Sequence, residues 1–202
     1  AKGAALMTGT SYDRVFIDGT AELLPNYTLE KLMHSCFEEV GVPKCTAEEL
    51  EYAAALKATY PPERDVPGIG AKFDAGIAKQ VKALSENMTK PVYDFLMPQY
   101  SGEGFRPGST DVGDVSWQTP TAQIEVAAWP AGVPGHSWQI VACGKSSMAH
   151  KAMLCAGKVI ASAAIELLEQ PALLEKAKSE FKERSASGYV CPIEPDAVPI
   201  AL

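Results

Sequence analysis

The sequence predicts an α/β fold, a sheet packed by helices, and three observations predict it. Residues 10–18, 121–128 and 137–143 alternate in the manner of strands. Residues 28–40, 46–57 and 71–86 repeat apolar side chains at helical spacing. Residues 148–168 are apolar nearly all round and rich in Ala and Gly, which suits a helix buried against a sheet.

Residues 1–9 can end a helix at Gly9, and Tyr12, Val15 and Ile17 are the packing positions of the strand that follows. In 28–40 one face carries Leu29, Leu32, Met33, Cys36, Phe37 and Val40, with Asn26 or Thr28 as cap and Gly41 then Pro43 as stop. Thr46 and Glu49 form a capping box that opens a helix to about Lys57. A Pro/Gly-rich loop over 61–70 leads into the helix at 71–86. Residues 87–119 then read as a long irregular segment, the kind that often carries function. Pro130 to Gly135 turn the chain between the two later strands. Ser146 or Ser147 caps the helix at 148–168, whose polar side chains fall on one narrow stripe, and Pro171 starts another helix to about 185.

The 202 residues suit one domain plus part of another. A net charge of −7 with no Lys/Arg cluster argues against nucleic-acid binding. Five cysteines, an odd count without a CxxC pair, argue against a disulfide framework and a zinc finger, and fit reduced thiols in the cytoplasm. No apolar run is long enough to span a membrane. The N-terminus carries neither signal peptide nor initiator Met, which suggests a fragment or a processed chain. Nucleotide-loop, HExxH and GxSxG motifs are absent.

Three polar spots can carry chemistry. His150 falls in the first turn of the helix at 148–168, where the helix dipole disfavours imidazolium and so favours the neutral ring that binds a metal. The plainer alternative is a first-turn histidine bonded to backbone or solvent. Asp111 and Asp114, three apart in GSTDVGDVSW, can hold a metal, orient a metal-bound histidine or act in acid–base work. They can equally well serve turn hydrogen bonds. His136, beside Trp138 in PGHSW, can line a substrate pocket or simply sit at a strand edge. His34 lies among apolar helix positions and reads as structural.

Together GAALMTGT, LLPN, GSTDVGDVSW with TP following, PGHSWQ, GKSSMAHKAML and YVCPI resemble the C-terminal half of members of the M20 family of metallopeptidases and amidohydrolases. The resemblance runs across nearly the whole chain. It implies that residues 1–20 end a lid and dimerisation domain, and that residues 21–202 are the C-terminal part of the catalytic domain. It implies hydrolysis of an amide bond, such as that of p-aminobenzoyl-glutamate, at a centre of two zinc ions, with His150 at the family's last ligand position. The other ligands, the bridging Asp and the general-base Glu belong to the N-terminal half of such proteins. The chain alone is therefore expected to be inactive and metal-free, and to form a homodimer or oligomer or to need an accompanying chain. A non-catalytic binding or assembly module derived from such an enzyme is the alternative. Where family members often carry Asn before the apolar pair and Pro, this chain has Glu22, so no substrate role is carried to that position.

Overall fold

A computed structural model describes residues 1–61, 75–101, 108 and 110–197. Its elements are α1 (Lys2–Thr8), α2 (Tyr27–Val40), α3 (Ala47–Lys57), α4 (Ala75–Glu86), α5 (Val112–Ser116), α6 (Trp138–Cys143), α7 (Ser147–Glu169) and α8 (Pro171–Arg184). No strand occurs among the described residues, which overturns the α/β expectation of a sheet packed by helices.

The three alternating segments fail as strands for different reasons. Residues 137–143 are helical: Ser137 caps α6 by accepting from the Ile140 amide. The buried side chains there, Gln139 and Cys143, lie four apart, which is helical rather than strand spacing. Residues 121–128 do alternate, with Ile124 and Val126 packed on the core while Gln123 and Glu125 face out. They run without a ladder partner among the described residues, and alternation alone does not make a strand. Residues 10–18 are exposed, Val15 and Ile17 included.

The helix boundaries follow the punctuation of the sequence. Asn26 caps α2 by accepting from the Leu29 amide, and its buried side chain also donates to the Ala177 carbonyl. Gly41, at φ 75°, closes α2, and Gly9, at φ 65°, closes α1. Thr46 and Glu49 complete the capping box of α3. Pro171 occupies the first turn of α8, where its missing N–H costs nothing. The first residues of the helix expected at 71–86, and most of the Pro/Gly-rich loop before it, lie outside the described residues.

Packing centres on α7, which lies against α2 and α8. Met148, Ala152, Cys155, Val159 and Ala163 form its buried stripe. Cys155, Val159 and Ala163 meet Cys36 and Phe37 of α2 in one core, while Met148 joins Ala53, Leu56, Val92 and Cys143 in a second. The expectation of a helix buried all round is corrected here. Only one stripe is covered, and Leu154, Ile160, Ile165 and Leu168 are open to solvent. No described helix is long and apolar enough to cross a membrane.

Candidate functional site

The first turn of α7 is built to hold its place. Ser146 accepts from the Ala149 amide through its hydroxyl at 3.2 Å and from the His150 amide through its carbonyl at 3.1 Å. The residues on either side of this turn then reach across to α3. Ser147 Oγ donates to Glu49 Oε1 at 2.6 Å, and Lys151 Nζ donates to Glu49 Oε2 at 2.8 Å and to the Lys44 carbonyl at 3.2 Å. Glu49 Oε2 also accepts the Thr46 amide at 2.7 Å. Glu49 is 7% exposed, so a full charge there needs partners. Lys151 first, then Ser147 and Thr46, hold its carboxyl down to about 2.

His150 stands between Ser147 and Lys151, exposed, and its imidazole makes no hydrogen bond to a described residue. A recess of about 420 Å³ beside the turn is lined by Glu48, Glu49, Tyr52, Ala142, Lys145, Ser146, Ser147 and Met148, without His150. No group of three or more His, Cys, Asp or Glu close enough to hold a metal occurs among the described residues. A structural zinc takes four donors, so His150 with its described neighbours does not make a metal centre.

Asp111 and Asp114 part company in the structure. Asp111 is exposed at the start of α5 and makes no capping bond through its side chain. Asp114 is half-buried and receives the Ala21 amide at 3.3 Å and the Tyr189 hydroxyl at 2.7 Å. That bond from Tyr189 pushes the phenol's pKa well above its ordinary value, with Cys191 adding to it. Ser116 Oγ accepts the Leu24 amide at 2.8 Å, and Trp117 Nε1 donates to the Glu22 carbonyl at 2.9 Å. Gly113 lets the backbones meet, since a Cβ there would lie 2.0 Å from the Ala21 oxygen. The GDVSW run is thus a clasp on residues 21–24, tied to Tyr189. No hydrogen bond joins Asp111 or Asp114 to His150 among the described residues.

His136 is exposed and has φ 54°, a left-handed conformation uncommon outside glycine, just before the cap of α6. His34 Nε2 bonds the Met97 carbonyl at 2.8 Å, tying α2 to the segment after Val92. Sequence reading found Glu49 only as a capping-box residue. Its reach to Ser147 and Lys151 spans about a hundred positions and leaves no local signal.

Along its full length the chain is similar to one subunit of the p-aminobenzoyl-glutamate hydrolase of Escherichia coli (strain K12). The two are 34% identical over 206 residues, which cover 100% of this chain and 42% of the hydrolase subunit. The chain thus spans less than half the length of that relative. No family model matches the chain. No solved structure matches it either.

Proposed function

We propose that this chain forms part of a metal-dependent amidohydrolase of the M20 kind that cleaves p-aminobenzoyl-glutamate or a similar amide. The single observation behind this reading is the similarity of the whole chain to the p-aminobenzoyl-glutamate hydrolase subunit. On this reading residues 1–20 belong to a lid and residues 21–202 to the catalytic domain. His150 is one ligand of a two-zinc centre, whose other donors and general base come from polypeptide outside this chain. The exposure of its imidazole at the start of a fixed helix turn supports that role: the ring is free to meet a ligand while its backbone is held. Glu49, through Ser147 and Lys151, is the positioning residue for that turn.

The test uses the intact protein that contains this sequence. Release of p-aminobenzoate is followed by absorbance and bound zinc by elemental analysis. The wild type is expected to turn over and to carry zinc. His150→Ala is expected to lose at least about 100-fold in activity and part of its zinc, as loss of a first ligand does more harm than loss of its supports. Unchanged zinc and activity in His150→Ala would remove His150 from the centre. Absence of turnover by the zinc-loaded wild type would remove the amidohydrolase reading.

A further inference from the structure

Where α2 stops, the chain crosses the middle of α7 and leaves a recess of about 260 Å³. Gly41, at φ 75°, ends α2, and residues 42–44 pass over one face of α7. That face is Lys151, Leu154, Cys155 and Lys158, spaced at i, i+3, i+4 and i+7. Both ends of the crossing are tied down from it. Cys155 Sγ donates to the Gly41 carbonyl at 3.5 Å, and Lys151 Nζ donates to the Lys44 carbonyl at 3.2 Å. The recess is therefore formed by bonds internal to the chain and needs no occupant to shape it.

Its lining divides in two. Val40, Val42, Pro43 and Leu154 supply an apolar floor, and Val40 and Val42 also pack on the core between α2 and α7. Three lysines stand around that floor, and no acidic side chain among the described residues lines it, in a chain whose net charge is −7. Lys151 is already engaged by Glu49 at 2.8 Å. Lys44 and Lys158 are exposed, and their ammonium groups pair with no described residue. A neutral ligand would leave both cations unused, and a bare inorganic anion would leave the floor wet. An apolar body carrying one carboxylate satisfies both parts. The volume is the room of roughly nine water molecules, enough for one ring and its carboxylate.

We infer that this recess binds a small carboxylate with a compact apolar body, its carboxylate between Lys44 and Lys158 and its body on Val42, Pro43 and Leu154. The site is separate from the turn of His150, since Lys158 lies two turns further on, roughly 12 Å along the helix axis. It rests neither on the metal nor on the hydrolase reading.

The test is isothermal titration of the intact protein that contains this sequence, with benzoate as the probe. The wild type is expected to bind with a dissociation constant on the order of 0.1 to 1 mM. Benzamide, which keeps the ring without the charge, and acetate, which keeps the charge without the ring, are each expected to bind at least about 10-fold more weakly. The double variant Lys44→Gln, Lys158→Gln is expected to lose at least about 10-fold. Both positions are exposed, so its helical circular dichroism should match the wild type. Lys182→Gln, an exposed lysine on α8, should bind as the wild type does. No binding of benzoate up to about 10 mM would overturn the inference. So would benzoate binding that the double variant leaves unchanged, or benzamide or acetate binding as tightly as benzoate. Benzoate binding retained in His150→Ala and lost in the double variant supports this site, whatever becomes of the hydrolase reading.

Discussion

Glu49 fastens two helix starts with one carboxylate, closing the cap of α3 and gripping α7 on either side of His150. Removing this carboxylate loses the capping box of α3 and the bonds from Ser147 and Lys151, whose polar atoms water still reaches. Glu49→Ala should therefore cost roughly 1 to 2 kcal/mol in urea unfolding. Because the folded carboxyl sits at about 2, its contribution is complete above the ordinary 4.5 and disappears as pH falls from there toward 2. Glu49→Gln should flatten the acid side of the stability profile over that range; an unchanged acid limb would show that the charge is not what holds the joint. Glu30 runs the other way. Burial first, then repulsion from Glu180, raises its carboxyl to about 7. The folded state thus prefers the protonated form, and this stability is complete below 4.5 and is lost as pH rises through 7. Glu30→Gln should melt higher than wild type at pH 8 and level with it near pH 4, as read by thermal circular dichroism.

Among the elements, the two kinds of glycine separate cleanly. At Gly113 a methyl group would collide with the Ala21 backbone, which cannot swing aside as a side chain can. Gly113→Ala should cost about 2 to 3 kcal/mol by opening the clasp. At Gly157, inside α7 and facing open space, Ala should stabilise the isolated chain by about 0.5 to 1 kcal/mol, since only the helix-propensity cost of glycine is removed. Equal effects of the two changes in calorimetry would contradict the geometry. The elements also show how much could be read in advance. Asn26, Gly41, the Thr46–Glu49 box and Pro171 mark boundaries with short-range chemistry, and the structure uses each of them. Strands cannot be read that way, because a ladder is a property of two segments and residues 121–128 carry only one side of it. The polar motif around Asp111 and Asp114 was visible, but not that its partners would be residues 21–24 and Tyr189, some 75 to 95 positions away.

For the whole molecule, the described residues pack around α7, which lies against α2 and α8, and leave Leu154, Ile160, Ile165 and Leu168 open to solvent. The site shares this property: His150 was legible as a helix-start histidine, while the donors that would complete a centre around it are not in the described set.

The N-terminus of α2 has a consequence in time. Asn26 bonds the Ala177 carbonyl, 151 positions later, and Glu180 of α8 receives the Tyr27 and Thr28 amides. A ribosome adding about 5 to 20 residues per second takes roughly 8 to 30 s to cover that distance. Through that interval the start of α2 waits without the partners that will secure it, although its own cap is already made. Nascent chains stalled before Ala177 should therefore be cut by protease near residues 26–28, and chains stalled well beyond Glu180 should resist.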